Sequence, residues 1–420
     1  MSTTSESDEQ QTLQRLRLFL WLFLALVLVL LGWSTVYRVA WDDVTHTDYT
    51  VYRAAGQAVL DGGNIYTVQN EHGWNYVYPP PFALLMVPLA KLSLAVGSGL
   101  WFLLETAALA LSSIMSVSLL GSVVSERHKT ALYALPLLFL STLLASGIMR
   151  CQASGFVIAL VIATFYFHLR GRTLLAGLSL AAAIVIKVFP LTLLAYFVVR
   201  RQWRALLATL AGISLMLLLL PSLFWGWQQN NKYLDDWMEA VAKPALMSNA
   251  ERASSTPLYA QLMNAYKSRN QSLQALFLSA RVNPDLAAHL SMAVGSIMLL
   301  PMLLAARRIK NQQDELLLCS AFILWQLLIP PISETHYFGM MILPLTVLLG
   351  RMFYTDAGES REWLSLRALS VMMIAAMIMI GWTASELFRP LCLACLLIWA
   401  DLLRRLYLRP AGTGGPLSGA

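Results

Sequence analysis

Charged residues are scarce in this 420-residue chain: they make up 13% of it, whereas hydrophobic residues make up 58%. A soluble globular domain carries roughly a quarter charged residues, so the composition excludes an ordinary soluble protein. Apolar runs of about 18 residues or more recur along the chain, and this length spans the hydrocarbon core as a helix. The sequence therefore predicts an all-α polytopic membrane protein.

Cysteine is also rare, and this limits the chemistry that we expect. The chain has four cysteines, of which Cys319, Cys392 and Cys395 lie within apolar runs. Neither a disulfide framework nor metal-ligand spacing is visible. No glycine-rich nucleotide-binding loop is present. We therefore expect neither a metal nor another cofactor.

The basic residues form short clusters between the apolar runs, and the formal net charge is +7. Short connections rich in Lys and Arg face the cytoplasm. The positive excess thus indicates membrane topology rather than a nucleic-acid surface, and no nucleic-acid partner is expected. We predict that both termini are cytoplasmic, with residues 1–16 and 407–420 as tails of a transmembrane domain at 17–406.

About twelve transmembrane helices are predicted, with long outer loops at 38–97 and 224–285. The apolar stretch 79–94 is ambiguous, but as a juxtamembrane helix at the outer interface it leaves every basic cluster inside. The spans 172–186 and 188–200 are short, and we expect them to meet at Lys187 below the outer surface. The predicted spans are 17–37, 98–123, 130–148, 154–169, 172–186, 188–200, 203–223, 286–306, 314–330, 336–350, 364–382 and 387–405.

The first outer loop is the most informative segment. It holds five acidic residues, together with aromatic residues, glycines and a Pro-rich run that begins at Tyr78. A carboxylate held at a bilayer surface can act as a general base on a polar substrate beside a lipid. The five acids are Asp42, Asp43, Asp48, Asp61 and Glu71.

Other polar residues interrupt apolar segments on the same predicted side of the membrane. A charge at this depth costs about 2.5–3.5 kcal/mol on insertion scales, so each residue needs a partner or a role. The predicted topology brings them to one face with Asp48. They are Arg150, Gln152, Lys187, Asn270, Gln271, Glu334 and His336, with Arg281 downstream of Asn270 and Gln271.

Structural explanations exist for each of these residues. Arg150 could snorkel to an interface, and Lys187 could form an ion pair with an outer-loop acid. His336 could cap or pack at a helix start, and Glu334 could be a helix N-terminal carboxylate. Glu105, within an apolar run, is interpreted as structural. The functional hypothesis depends on the convergence of these residues on one face.

Together the residue types suit one kind of chemistry. Cations such as Arg150, Lys187 and Arg281 can bind a lipid phosphate, since guanidinium binds phosphate oxygens in a bidentate manner. An acid opposite them can deprotonate an acceptor hydroxyl. Tyr, Trp, Asn and Gln side chains provide stacking faces and hydrogen bonds for a sugar.

The order of the motifs resembles glycosyltransferase family 87, a family of membrane enzymes with the C-type fold. The resemblance extends from the first outer loop to about residue 350. Three departures occur, since the family often has Gly, His and Trp where this chain has Cys151, Tyr337 and Ser333. The matching motifs are Asp48-Tyr49 with Tyr52, Leu60-Asp61-Gly62-Gly63, Tyr76-Val77-Tyr78-Pro79-Pro80, Arg150-Cys151-Gln152, Ile186-Lys187-Val188-Phe189-Pro190, Asn270-Gln271-Ser272-Leu273 and Pro331-Ile332-Ser333-Glu334-Thr335-His336.

The resemblance implies an enzyme in the cell membrane, with its active site on the extracytoplasmic face. It would transfer a hexose, in particular mannose, with inversion, and its partners would be a polyprenyl-phosphate-linked sugar donor, a lipid or glycan acceptor and membrane lipids. Asp48 would be the catalytic base. Donor phosphate would contact Arg150, Lys187 and His336, and substrate would contact Tyr49, Tyr78, Gln152, Asn270, Gln271 and Glu334.

Two other functions fit part of the pattern. A transporter or lipid flippase would also place charges within helices, but it favours inverted repeats and charges at the midplane, and no repeat is evident. A non-catalytic scaffold would leave Asp48 and Lys187 without a role.

Overall fold

The computed structural model describes residues 2–42, 47–71, 73–121, 124, 126–239, 243, 269–354 and 389–407. Within these ranges the chain is mostly helical, and the only β pairing is two isolated bridges, Gln69–Asn75 and Asn270–Glu334. The all-α prediction is therefore confirmed for this part of the chain. The predicted span at 364–382 and the tail at 408–420 lie outside it.

The α-helices occur close to the predicted apolar segments. They are α1 (Ser2–Ala40), α2 (Asp48–Leu60), α3 (Pro80–Ala90), α4 (Leu94–Ser118), α5 (Glu126–Phe139), α6 (Ser141–Ile148), α7 (Ser154–Leu169), α8 (Thr173–Ile186), α9 (Leu194–Val199), α10 (Trp203–Ser214), α11 (Leu220–Trp225), α12 (Trp227–Trp237), α13 (Leu273–Ser279), α14 (Pro284–Ala306), α15 (Gln312–Leu328), α16 (Ile342–Tyr354) and α17 (Pro390–Tyr407). Short 3₁₀ segments at Phe189–Leu193 and Thr335–Met341 precede α9 and α16, and a π-helical turn at Leu215–Leu219 joins α10 to α11.

Several helices are long and apolar enough to cross a membrane, so the protein is a multi-pass membrane protein. Four described helices meet this test, and a fifth span is possible if the bent pair α5–α6, which turns by 63°, is counted as one. The total of about twelve remains a prediction, since others such as α7 and α8 are shorter. The four are Leu22–Ala40, Leu94–Ser118, Trp203–Trp225 and Pro284–Ala306.

Helix α15 is the central element of the bundle. Every residue from Asp314 to Leu328 is buried, and the helix packs against α14, α16 and α17. By contrast, α1 exposes large apolar side chains such as Leu22 and Phe23, as expected of a helix that faces lipid. Because α1 begins at Ser2, the predicted tail 1–16 is continuous with the first helix.

The segment after α8 contains the predicted break at Lys187. Helix α8 ends at Ile186, Lys187 is extended, and the 3₁₀ turn begins at Phe189. Pro190 lacks a backbone N–H, which prevents α8 from continuing through this point. Helix α8 packs closely against α10, where Gly177 approaches the backbone of Ala205.

Helices α2 and α3, which lie within the predicted outer loop 38–97, pack together. At 11 residues, α3 is about 16 Å long, which is well short of the roughly 30 Å hydrocarbon core. This length favours the interfacial position predicted for 79–94.

The predicted loop 224–285 contains regular structure that the sequence analysis did not identify. Helix α12 packs on the first outer loop, where Tyr233 Oη donates to the carbonyl of Gly63 at 2.8 Å and Trp237 Nε1 donates to that of Val77 at 3.1 Å. Helix α13 follows the undescribed residues 244–268. Both helices are short, and α12 is polar, so hydropathy alone does not distinguish them from loop.

The topology can be tested by labelling single cysteines with a membrane-impermeant maleimide. The native cysteines are all buried, so they should react slowly. We expect a cysteine at the exposed Gln228 of α12 to react in intact cells, and one at the exposed Arg204 to react only after permeabilisation. The reverse pattern would contradict the predicted orientation.

Candidate active site

Asp48 is the first residue of α2, and it is tied to the turn at residues 149–152 between α6 and α7. The helix begins after Thr47, which is extended, and a carboxylate in the first turn is stabilised by the helix dipole. The Asp48 N–H donates to the carbonyl of Arg150 at 2.9 Å. This bond between two segments far apart in sequence brings Asp48 to the predicted cations.

The turn itself has an unusual backbone. Cys151 is buried and adopts φ 52°, in the left-handed region that favours glycine. This conformation explains why a glycine is expected here in the resembling family. The turn reverses the chain so that Arg150, Gln152 and Ser154 all contact residues of the site.

Gln152 lies between Asp48 and Lys187. Its Nε2 donates to Asp48 Oδ2 in a close contact, and its Oε1 accepts from Lys187 Nζ at 2.8 Å. Lys187 also donates to Ser154 Oγ at 3.0 Å. The opposite charges are therefore joined through a side-chain amide rather than directly.

Aromatic rings enclose the Lys187 ammonium. Its Nζ lies 4.8 Å from the centroid of the Tyr337 ring and 5.8 Å from that of Tyr78. The Tyr337 ring stacks on Phe189 at 4.5 Å. Because ring faces attract cations, they replace part of the solvation that the buried ammonium lacks.

Arg150, Glu334 and His336 form a second cluster. Arg150 Nη2 lies 2.9 Å from His336 Nδ1, and Arg150 Nη1 lies 3.6 Å from Glu334 Oε2. A guanidinium can only donate, so Nδ1 is the acceptor and the proton of this neutral imidazole is on Nε2. This buried N–H has no hydrogen-bond partner among the described residues.

The surroundings of Asp48 shift the pKa of its carboxyl group. Burial raises the pKa of its carboxyl from 3.8 to about 6, an effect that nearby Lys187 and Arg150 oppose. The residue is partly exposed. Its hydrogen bonds from described side chains all reach Oδ2, so Oδ1 is left for another donor.

Two tyrosines extend the hydrogen bonding of Asp48. Tyr52 Oη donates to Asp48 Oδ2 at 3.3 Å and lies 2.6 Å from Tyr78 Oη. Since the single Tyr52 proton is directed to Asp48, Tyr78 is the donor in the second bond. Tyr78 therefore lies near Asp48, and its predicted substrate contact stays a prediction. Tyr52 appeared in the sequence analysis only as part of a motif.

Tyr49 is placed differently. Its ring is fully buried and packs 6.2 Å from the ring of Trp101 on α4, with its hydroxyl close to Gly97. The hydroxyl has no hydrogen-bond partner among the described residues. Tyr49 therefore packs α2 against α4.

Asn270 and Gln271 are buried beside the cluster and hold its backbone. Asn270 Nδ2 donates to the Pro331 carbonyl at 2.9 Å, and its Oδ1 accepts from the N–H of Ser333. Gln271 Oε1 accepts from the N–H of Leu391 at the start of α17. These contacts position the segment that precedes His336.

The remaining polar candidates are distributed as follows. Glu105 is buried in α4, and its Oε1 accepts from the N–H of Gly155 at the start of α7 at 3.2 Å. Arg281 is exposed after α13, and no described contact joins it to the site. Arg269 lies closer, and the neighbouring Arg150 lowers its pKa. The described residues contain no group of three or more His, Cys, Asp or Glu side chains placed to hold a metal ion.

Three contributors were missed by the sequence reasoning: Tyr337, Ser154 and Arg269. Each is adjacent to a predicted motif, and Tyr337 was noted only as a departure from the family. Their position next to a predicted motif was the one feature of the sequence that could have identified them. The residue type was not sufficient, because a tyrosine or serine in an apolar run does not reveal what it contacts.

The chain matches a known protein family over its middle part. The model of glycosyltransferase family 87 matches residues 76–332, which is more than half of the chain. The chain belongs to glycosyltransferase family 87. It is therefore a glycosyltransferase, and the transporter, flippase and scaffold alternatives are set aside. The match does not assign roles to individual residues, which remain predictions.

Among known proteins, a similar one is the polyprenol-phosphate-mannose-dependent alpha-(1-2)-phosphatidylinositol mannoside mannosyltransferase of Mycobacterium tuberculosis. It is 25% identical over 379 residues, which cover 85% of this chain and 82% of the relative. Among solved structures, ArnT from Cupriavidus metallidurans in the apo state covers 92% of this chain and 77% of its own, with 14% identity and a TM-score of 0.39. The same enzyme bound to undecaprenyl phosphate gives 15% identity, 92% and 76% coverage, and a TM-score of 0.39.

Removing the Tyr49 hydroxyl tests whether this residue packs or binds substrate. We expect Tyr49→Phe to retain transfer activity and to melt at the same or a higher temperature, since a buried hydroxyl without a partner costs about 1–3 kcal/mol. The matched variant Tyr52→Phe should lose activity because it removes a donor to Asp48. Lost activity in a well-folded Tyr49→Phe protein would instead indicate substrate contact.

Proposed function

We propose that the protein transfers a hexose, in particular mannose, from a polyprenyl-phosphate donor to a hydroxyl of a lipid or glycan. The reaction would occur at the extracytoplasmic face of the cell membrane, within a C-type fold of about twelve spans. Support comes from family membership and from the mycobacterial relative, whose name specifies polyprenol-phosphate-mannose as its donor.

The observation that carries the proposal is the arrangement around Asp48. A carboxylate with an uncommitted Oδ1 lies in a cluster with a buried ammonium and a guanidinium–imidazole pair. A sugar phosphate needs both parts, since one group must accept a proton while others neutralise the leaving phosphate.

In the proposed reaction Asp48 Oδ1 takes the proton of the acceptor hydroxyl. The hydroxyl oxygen forms a bond to the anomeric carbon from the face opposite the phosphate, as the bond from that carbon to the phosphate oxygen breaks. A β-linked donor is thereby converted into an α-linked product. The net result is transfer of the sugar with inversion, and the phosphate leaves with the bonding electron pair.

Charge develops on the leaving phosphate, and cations in a low-dielectric site stabilise it most strongly. Arg150 and Lys187 supply two positive charges. His336 adds the unpartnered Nε2–H, which can donate to a phosphate oxygen. Arg269, close to Arg150, extends the positive surface.

The proposed substrate contacts divide by their surroundings. Tyr78 and Glu334 lie among the charged groups, where they can contact the sugar or the acceptor. The contacts of Asn270 and Gln271 support an indirect role, because they hold the segment before His336. Tyr49 is the weakest candidate because it packs between two helices.

Replacing the base tests the central claim. Asp48→Asn preserves size but cannot accept the proton, so turnover should fall by roughly 10²–10⁴-fold, the usual contribution of general-base catalysis. Donor affinity should be retained because other segments hold the phosphate. The measurement is transfer from synthetic polyprenyl-phosphate mannose to lipids extracted from the producing organism. Near-normal turnover of the variant would show that Asp48 is structural.

Replacing Lys187 should have a different effect. Lys187→Met removes a charge-assisted contact worth about 1.5–3 kcal/mol, so kcat/KM should fall by roughly 10–100-fold with weaker donor binding. Lys91→Met, which removes an exposed lysine after α3, is the matched control and should behave as wild type. Equal donor affinity in the Lys187 variant would contradict the phosphate contact.

The pH dependence follows from the raised pKa of Asp48, which is about 6. Only the carboxylate form of Asp48 can accept a proton. This form predominates above pH 6 and is lost as the pH falls. We expect kcat/KM to decrease about tenfold per pH unit on the acid side of pH 6. Activity that stays constant to pH 4.5 in protein that remains folded would exclude Asp48 as the titrating base.

A further inference from the structure

The Gln152 amide contacts the two opposite charges of the site. Its side chain is buried, with 8% of the residue exposed. One end donates to Asp48 Oδ2, and the other accepts from Lys187 Nζ at 2.8 Å. Both ends of the amide are therefore occupied by charged neighbours.

The orientation of the amide follows from its partners. A lysine ammonium has donors only, so the group that faces Lys187 must be the amide oxygen. The amide nitrogen is then necessarily directed at Asp48. An ionised carboxylate is a stronger acceptor for this N–H than a protonated carboxyl, so the hydrogen bond from Gln152 favours the charged form of Asp48.

We propose that Gln152 is a positioning residue for the general base. It holds Asp48 through Oδ2, so that Oδ1 stays turned to the acceptor, and it separates Lys187 from the carboxylate. The inference rests on the proposed role of Asp48 and assigns Gln152 a role other than the predicted substrate contact.

The separation matters because the site needs each charge for a different purpose. A direct ion pair would engage the carboxylate and draw the ammonium away from the donor phosphate. Lys187 is held on its other sides by Ser154 Oγ and by the rings of Tyr337 and Tyr78. With the ammonium held in this way, the Gln152 amide can bond to both Lys187 and Asp48 without the two forming a direct ion pair.

The other groups around Asp48 do not replace this contact. Arg150 and Glu334 act on the carboxylate with opposite effects, and Tyr52 donates the second hydrogen bond. Tyr78 and Tyr337 are neutral phenols near the site, and Glu105 on α4 interacts with both Lys187 and Asp48. Of these, Tyr52 alone shares Oδ2 with Gln152.

Two variants of Gln152 test the proposal through the acid limb of the pH profile. Gln152→Met keeps the length but removes the donor to the carboxylate, so the limb should move up by about one pH unit. Gln152→Glu places a second carboxylate against Asp48, and the limb should move up by about two units or more, since like charges sharing a site raise one pKa strongly.

The steady-state constants provide a second readout. A misplaced base lowers turnover, so kcat of Gln152→Met at neutral pH should fall by about 10–100-fold. The KM values for synthetic polyprenyl-phosphate mannose and for the extracted lipid acceptor should change by less than about twofold, because no substrate contact is removed. If Gln152 instead contacted the substrate, its replacement would raise KM and change kcat less.

The matched control is Gln326→Met. Gln326 is a buried glutamine of α15 whose Nε2 contacts Met340 Sδ at 3.3 Å, so its replacement removes a buried amide away from Asp48 and Lys187. Its acid limb should coincide with that of the wild type. Melting temperatures of all variants identify any protein that has lost its fold, and Gln152→Glu retains the size of the side chain if Gln152→Met unfolds.

The outcomes separate this inference from the proposed function. If Asp48→Asn is inactive but both Gln152 variants keep the wild-type acid limb or move it down, Gln152 does not position the base. A raised KM with an unchanged limb would likewise overturn the inference and make Gln152 a substrate ligand. If Asp48→Asn transfers the sugar as fast as the wild type, Asp48 is not the base and this inference fails with that assignment. If the wild type itself transfers no sugar from the donor, the proposed function fails.

Discussion

The site depends on the cost of placing opposite charges in a low-dielectric region without letting them neutralise each other. An isolated buried ion is strongly disfavoured, and a buried pair is tolerated only when its remaining donors and acceptors are satisfied. Here Lys187 has Gln152, Ser154 and aromatic rings as partners, and Asp48 has Gln152 and Tyr52. These neutral groups let both charges persist side by side, which is the state that the proposed reaction requires.

Because this arrangement is built from separate parts of the chain, backbone contacts have to hold it together. The N–H of Asp48 bonds to the carbonyl of Arg150, which links the first outer segment to the turn at 149–152. On the other side, Asn270 holds the segment at 331–333 through two hydrogen bonds, and Arg389 Nη1 donates to the Asn270 carbonyl at 2.8 Å. The candidate site residues thus lie at helix starts, turns and breaks, and these hydrogen bonds join the separate segments to one another.

The sequence alone was sufficient to predict the helical class, the break at Lys187 and the family. The reason is that apolar length, proline and ordered motifs are local signals. It also identified Asp48, Arg150, Gln152, Lys187 and His336 as neighbours, since topology brings them to one side. It could not reveal the partners within that set, because hydrogen bonds such as that from Gln152 to Asp48 depend on side-chain direction. Helix α12 was missed for a related reason: its stability comes from contacts with another segment rather than from its own composition.

The attachment of α12 to the first outer loop has a mechanical consequence. Tyr233 is bonded to Gly63 and Trp237 to Val77, so the helix is fastened at both ends of the stretch that leads to Tyr78. A load applied to α12 is therefore transmitted to the residue that lies over the Lys187 ammonium. Because these two hydrogen bonds join α12 to the loop, we expect a movement of the helix to displace the stretch from Gly63 to Val77 with it.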